Sequence, residues 1–125
     1  MENQFLQEEA VKHILNNMLQ KEGWNTKVAW GHNRGIDIDA TKNDKRWVIE
    51  VKGPGSRPEM RNNYFIGILG EMLQRMDDEN ARYSIAFPKT EKYLRLWNEL
   101  PRLAKERTTI DLILVDENGC IEYYK

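Results

Sequence analysis

The sequence predicts an α/β fold in which a central mixed sheet is covered by helices on both faces, in three α-β-α layers. Apolar residues recur at three- and four-residue spacing near residues 3–22, 59–78 and 90–106, as they do along amphipathic helices. Between these segments, apolar and polar residues alternate with the two-residue period of a strand. The resulting order α-β-β-β-α-β-α-β is typical of a mixed sheet. A chain of 125 residues is expected to form one domain, residues 1–125.

The composition is that of a folded protein with no overall preference for nucleic acid. Hydrophobic residues make up 40% of the chain and charged residues 31%, which excludes a disordered segment. The net charge of −1 gives no global attraction to a polyanion, although a local basic face is still possible. The single cysteine, Cys120, excludes an internal disulfide and a cysteine-based zinc site. No apolar run is long enough to cross a bilayer, and no signal pattern opens the sequence, so a cytoplasmic location is expected.

Residues 3–22 are predicted to form the first helix, which Gly23 ends. One stripe of this helix carries Phe5, Glu8, Val11, Leu15 and Met18. Because Glu8 lies on the stripe and Glu9 about a third of a turn away, Glu8 is the one expected to face the sheet. The alternatives are that Glu8 only reaches out to water from the edge of the stripe, or that Glu9 takes its place.

A strand is predicted at residues 26–31, and the polar segment 31–35 follows it as a loop. Loops beside a predicted site often carry substrate contacts. His32 in this loop is therefore a candidate for contacting a phosphate or transferring a proton, although an exposed loop histidine is often without a role.

The next two strands are predicted at residues 35–39 and 47–53, where Ile and Val alternate with charged residues. Residues 42–46 form a polar turn between them, so the two strands are expected to pair as a hairpin that brings Asp37 beside Glu50. Glu50 and Lys52 are two residues apart and share a face of their strand. Two converging carboxylates repel, so one is expected to have a raised pKa. They also make a hard-oxygen site that suits Mg²⁺.

The remaining elements follow from the same periods. Residues 53–58 contain glycine and proline and are expected to form a mobile loop, and Arg57 and Arg61 are candidate phosphate contacts. A second helix spans 59–78, and its Gly67 and Gly70 are expected to pack closely against the sheet. The last third predicts a strand at 83–87, a helix from Thr90 to about 106 that Pro101 kinks or divides, a strand at 110–115, and a final hairpin strand at 120–124.

The segment Gly35-Ile36-Asp37, followed by Glu50-Val51-Lys52, resembles the PD-(D/E)xK nuclease superfamily. In that family an Asp follows a Gly-hydrophobic pair on one strand, and a Glu-x-Lys lies on the next. Here Ile36 stands where the family's name has proline, and the resemblance covers roughly the first 75 residues. It implies a restriction-endonuclease-like core and Mg²⁺-dependent hydrolysis of phosphodiester bonds in nucleic acid, DNA above all.

The resemblance also implies roles for individual residues. Asp37, Glu50 and the backbone carbonyl of Val51 would bind one or two Mg²⁺ ions, for which Mn²⁺ could substitute. Lys52 would position or help to deprotonate the attacking water and offset the developing negative charge. Glu8 would orient a metal-bound water or act as an outer ligand.

Two positions leave alternatives open. Asp39 lies on the same strand face as Asp37 and is a second candidate ligand, but Asp37 is preferred because it directly follows the Gly-Ile pair. The second helix resembles a glutamine-bearing helix that lies against the active site in some branches of the family. Its matching position here is either Glu71 or Gln74.

Other interpretations of the same residues compete with the nuclease. The first is an ordinary salt-bridged hairpin, in which Glu50 pairs with Lys52 or Lys27 and Asp37 pairs with Arg34. The second is a catalytically silent or accessory domain that binds nucleic acid or a partner protein. The third, a hydrolase of small phosphoesters, is disfavoured because no glycine-rich phosphate-binding turn opens a helix.

A homodimer is the expected working unit. One small domain with one metal site cuts one strand, and cleavage of a duplex needs two sites related by a two-fold axis. Trp97, Tyr123 and Tyr124 are the aromatic residues expected to exceed what one small core buries. The alternative is that Trp97 closes the core and the two tyrosines cover an edge of the sheet.

Overall fold

The computed structural model describes residues 5–125. Residues 3 and 4 of the predicted first helix therefore lie outside the described residues. The helices within this range are α1 (Glu8–Lys21), α2 (Pro58–Arg75), α3 (Glu91–Glu99) and α4 (Arg102–Thr108). The strands are β1 (Asn25–Val28), β2 (Ile38–Lys42), β3 (Lys45–Val51), β4 (Arg82–Pro88), β5 (Asp111–Val115) and β6 (Ile121–Tyr124). None of these helices is long and apolar enough to span a membrane.

The strands form one mixed sheet in which the spatial order is the order along the chain, β1 to β6. β3, β4 and β5 are parallel to one another, and the outer pairs are antiparallel. Both parallel crossovers step in the same direction across the sheet, so the right-handed crossover rule puts α2 and α3 on one face. α1 packs on the opposite face, and the predicted three-layer α/β fold class is confirmed.

Strand β3 shows how alternation divides its side chains between the two faces. Trp47, Ile49 and Val51 pack in the core beneath α1, whereas Val48 packs in the core beneath α2 and α3. Glu50 follows Val48 at a spacing of two and so faces α2, where it is only 1% exposed. The alternation therefore carries a carboxylate into the layer between β3 and α2.

The boundaries of several elements differ from the predicted ones. β2 begins at Ile38, and Gly35, Ile36 and Asp37 precede it. The strand does not extend back to Asp37 because the Asp37 N–H donates to the Glu50 side chain and not to a backbone carbonyl. The predicted helix from Thr90 is divided at Pro101, as expected. Leu100 before it is extended, at φ −69° and ψ 131°, because the proline ring disfavours helical backbone in the preceding residue.

The segment 53–58 is not free along its whole length. Gly53 and Pro54 are buried. The Tyr93 hydroxyl donates to the Gly53 carbonyl at 2.7 Å, and Arg61 Nε donates to the Pro54 carbonyl at 2.7 Å. The expectation of a mobile loop is therefore wrong for its first two residues, because both carbonyls are held by side chains of the neighbouring helices.

Gly67 and Gly70 do not pack against the sheet, which corrects the sequence-based expectation. Both are exposed, and a Cβ added at either position would meet no atom within 4 Å. The sheet-facing positions of α2 are instead Phe65, Ile68 and Met72. These two glycines therefore do not allow another part of the protein to pack close to α2, and they only add backbone freedom to the unfolded chain.

We expect Gly67→Ala to stabilise the protein by about 0.5–1 kcal/mol, the difference in helix propensity between the two residues. The measurement is the free energy of unfolding in urea. Gly53→Ala is the matched comparison, because its Cβ would lie 3.2 Å from the Glu8 backbone nitrogen and should lower stability. A loss of stability in Gly67→Ala would mean that this face of α2 is covered.

Candidate metal and active site

Asp37 and Glu50 meet where the backbone ladder between β2 and β3 ends. Ile38 pairs with Ile49, so Asp37 and Glu50 occupy the next opposed positions. The Asp37 N–H donates to Glu50 Oε2 at 2.8 Å, and the Val51 N–H donates to Asp37 Oδ2 at 2.8 Å. Each side chain thus accepts a bond from the backbone of the opposite strand. The hairpin brings the two carboxylates together, as the sequence predicts.

Lys12 of α1 lies directly against this pair. Its side chain is only 2% exposed, and its Nζ lies 3.3 Å from Asp37 Oδ1. The same ammonium is 3.4 Å from Glu8 Oε2 and 3.5 Å from Glu9 Oε2. Burial alone lowers the pKa of Lys12, but these three carboxylates outweigh it and leave that pKa raised. Lys12 is therefore a charged group held inside the protein.

The pKa of Glu50 is raised from its ordinary value. Its burial is the main cause, the charge of Asp37 adds to it, and the hydrogen bond from the Asp37 N–H opposes it, which brings the pKa of Glu50 to about 7. The nearest cation is Arg75 of α2, whose Nε is 3.8 Å from Glu50 Oε1, too far for a hydrogen bond. Within residues 5–125, Arg75 Nε is also a buried donor without a hydrogen-bond partner. Glu50 and Arg75 thus face each other with their hydrogen-bonding capacity incompletely used.

Lys52 follows the end of β3 and is half-buried. Its Nζ lies 3.5 Å from Glu71 Oε1 and 5.9 Å from the centre of the Tyr64 ring, and both residues belong to α2. Glu71 is half-buried, whereas Gln74 is exposed. Of the two positions left open by the sequence, Glu71 is therefore the one that contacts the site.

The helix carboxylates are positioned differently from each other. Glu8 is half-buried, and its backbone nitrogen would lie 3.2 Å from a Cβ added at Gly53, so the first turn of α1 packs closely on the end of β3. Glu9 is more exposed and accepts a hydrogen bond from the Gly31 N–H at 2.8 Å, which lowers the pKa of Glu9. Glu8 therefore lies nearer the hairpin, as predicted, and Glu9 fixes the loop after β1.

The remaining candidates are either exposed or already paired with other groups. Asp39 is held by a two-point salt bridge to Arg46, at 3.0 Å for each contact, which leaves it a poor candidate ligand. His32 and Arg57 are exposed. Arg61 is half-buried and already donates to the Pro54 carbonyl.

The simple salt-bridged hairpin does not form in the pairing proposed from the sequence. Asp37 pairs with Lys12 and not with Arg34, and the nearest cation to Glu50 is Arg75 and not Lys52 or Lys27.

The donor chemistry of the site suits a hard divalent cation, although the cluster is small. Asp37 and Glu50 supply carboxylate oxygens, and the cation nearest to Glu50 Oε1 in the described part of the chain, Arg75 Nε, stays 3.8 Å away. Among residues 5–125, no group of three or more His, Cys, Asp or Glu side chains is arranged to hold a metal ion. Any such ion would therefore depend on these two carboxylates and on backbone or water oxygens.

Sequence reasoning missed Lys12 and Arg75. Helical spacing places both residues on the face of their helix that carries the predicted site. Lys12 lies four residues after Glu8 and three before the buried Leu15, and Arg75 lies one turn after Glu71. A lysine on an apolar stripe is ordinarily a residue that reaches out to water, so its burial could not be read from the spacing alone.

We expect Glu50→Gln to stabilise the protein increasingly as pH rises. Because the folded-state pKa of Glu50 is about 7 and the ordinary value is 4.5, the folded state retains a proton that the unfolded state releases between these values. Stability from this group therefore falls as pH rises through that window, and glutamine removes the loss. The gain should approach about 3 kcal/mol by pH 8 and vanish below pH 4.5. Urea unfolding in EDTA measures it, with Glu79→Gln as the exposed control; a gain independent of pH would contradict the assignment.

Comparison with known proteins shows similarity in fold only. No protein-family model matches this chain, and no curated protein matches it in sequence. Its structure is similar to that of an XisH family protein from Nostoc punctiforme, with a TM-score of 0.63 at 16% identity over 92% of this chain and 98% of that one. It is also similar to an fdxN element excision controlling factor from Anabaena variabilis, with a TM-score of 0.61 at 17% identity over 93% and 99% of the two chains. At this identity the likeness extends to the fold: a mixed sheet between two layers of helices.

Proposed function

We propose that this protein is a divalent-metal-dependent nuclease that hydrolyses phosphodiester bonds in DNA. The observation that carries the proposal is the meeting of Asp37 and Glu50 at the ends of β2 and β3. Glu50 is 1% exposed there, and its pKa of about 7 reflects burial that Arg75, 3.8 Å away, does not offset. A divalent cation beside it would make the ionised form stable.

Asp37, Glu50 and the backbone carbonyl of Val51 are the proposed ligands of Mg²⁺, for which Mn²⁺ can substitute. When bound, such an ion lowers the pKa of a coordinated water and offsets charge on the phosphate oxygens. The hydrogen bond between the Asp37 N–H and Glu50 fixes the two ligands relative to each other. Because the oxygens are already positioned, little ordering is needed when the ion binds.

Three basic side chains are proposed to act on the phosphate and the attacking water. Lys52 is half-exposed just after the end of β3, beside Glu71 of α2, and its ammonium is proposed to orient the water and offset developing negative charge. Arg75 keeps about a third of its side chain exposed beside Glu50, and its guanidinium carries the charge that a phosphate oxygen prefers. Arg57 is exposed at the start of α2, where it can contact the backbone of the nucleic acid. Glu8 is proposed to orient a water from the helix side.

DNA is the proposed substrate, and the cytoplasm the proposed location. One structural neighbour is named as a factor that controls excision of the fdxN element, and excision of a genetic element involves cutting DNA. The net charge of −1 means that binding must depend on local contacts at the site.

We expect Asp37→Asn and Lys52→Ala each to lower the rate of DNA cleavage in Mg²⁺ or Mn²⁺ at least 100-fold, because a metal ligand or the cation beside the water is lost. Nicking of supercoiled plasmid, with and without EDTA, measures the rate. Asp39→Asn is the matched control: Asp39 is paired with Arg46, so this change should leave cleavage near the wild-type rate. Cleavage that persists in both site variants would contradict the assignment of the activity to this site.

A second candidate is an accessory domain that binds DNA or a partner protein without cutting. The observation that favours it is that both Asp37 oxygens are already engaged, Oδ1 by Lys12 and Oδ2 by the Val51 N–H. The word "controlling" in the name of the Anabaena neighbour also fits a regulatory role. Wild-type protein that shifts DNA in a gel but never nicks it in Mn²⁺ would favour this candidate.

We also propose that the working unit is a homodimer, because cleavage of both strands needs two sites. The aromatic argument from the sequence is wrong for Trp97, which is 2% exposed in the core. Tyr123 is exposed, as that argument expects, and Ile66, Leu73 and Leu103 are the other large apolar side chains exposed among residues 5–125. Light scattering at micromolar concentration should give twice the 14.8 kDa mass of the chain. A mass of one chain, unchanged on adding DNA, would contradict the dimer.

A further inference from the structure

The Lys12 ammonium occupies a small cage of oxygens between α1 and the hairpin. The Ala29 carbonyl accepts its hydrogen bond at 2.8 Å, and carboxylate oxygens of Asp37, Glu8 and Glu9 lie at 3.3, 3.4 and 3.5 Å. Three carboxylates and one carbonyl are the donors that a hard divalent cation prefers. In this chain an amino group takes that place.

The cage shares one residue with the proposed metal site. Asp37 directs Oδ1 to Lys12 and accepts the Val51 N–H at Oδ2, and its own N–H donates to Glu50. Two-metal phosphodiesterases hold their ions about 3.5–4 Å apart, commonly with an acidic ligand between them. Asp37 stands in that intermediate position, with Glu50 on one side and the cage on the other.

Lys12 cannot leave the cage at little cost. It is 1% exposed, and its side chain runs from the buried face of α1 beside Val11 and Leu15. Withdrawing the ammonium would leave Asp37 without the closest cation that the structure gives it among residues 5–125. A buried charge whose partner is removed is strongly destabilising.

We propose that Lys12 is a resident cation that takes the place of a second divalent ion, so that the site holds a single metal ion per chain. The inference rests on the proposed function and assigns the metal stoichiometry of that site. The ion is held on the Glu50 side of Asp37, and the charge on the α1 side is supplied by the protein itself.

The test is to count bound Mn²⁺ by isothermal titration calorimetry, with electron paramagnetic resonance of the free ion as a second readout. Wild type should bind one ion per chain. Lys12→Met should bind two, because the half-exposed Glu8 and Glu9 side chains can close by about 1 Å around an ion that prefers oxygens at roughly 2.0–2.6 Å. Lys21→Met, an exposed lysine on the same helix, is the matched control and should bind one.

A second variant keeps the test decisive if Lys12→Met does not fold. Glu8→Gln combined with Glu9→Gln removes the helix carboxylates and leaves Asp37 and Glu50, so it should still bind one Mn²⁺ with an affinity within about tenfold of wild type. Loss of the ion in this double variant would overturn the inference.

The stoichiometry separates this inference from the function on which it rests. Two Mn²⁺ ions in wild type, or one in a folded Lys12→Met protein, would overturn the role of Lys12 and leave the nuclease standing. No bound Mn²⁺ in wild type would overturn both.

Discussion

The structure depends on the pair of reciprocal hydrogen bonds in which Asp37 and Glu50 each accept an N–H from the opposite strand. They replace the backbone–backbone hydrogen bonds where β2 separates from β3. The Asp37 and Val51 N–H groups therefore have acceptors, and the two carboxylates are held close together. β3 has an antiparallel neighbour on one side and a parallel neighbour on the other. Glu50 is consequently enclosed by the sheet and α2, and its environment follows from the topology.

Charge compensation at this point comes from both helical layers. α1 supplies Lys12 to Asp37, whereas α2 supplies Arg75 to Glu50 and Glu71 to Lys52. The two compensations are unequal, since Lys12 lies within 3.5 Å of three carboxylates and Arg75 stays 3.8 Å from Glu50. Burial is the main reason why Glu50 resists ionisation, and the weaker compensation by Arg75 does not offset it. The unequal compensation also makes the α2 side of the hairpin the one where an added cation gains most.

The sequence was sufficient for the features that local periodicity governs. Alternation in β2 and β3 predicts the pairing of Asp37 with Glu50, and the restriction that Pro101 places on Leu100 predicts the division between α3 and α4. The sequence was insufficient where the burial of a residue depends on the layer of the fold that packs against its helix. The burial of Lys12 and the exposure of Gly67 are decided by what lies opposite each helix, and a helical stripe does not record that.

The exposed loop 31–35 has a consequence for how this protein could diversify. Its residues are all exposed, and Gly31 and Gly35 have φ values of 60° and 122°, which suit glycine at both ends of the turn. The Ala29 carbonyl, which accepts from Lys12, lies before the loop, and Asp37, which accepts from the Val51 N–H, lies after it. Doubling the length of such a loop costs only about 0.6 kcal/mol in closure entropy. Additional segments could therefore be inserted here while the hairpin contacts beneath them stay unchanged.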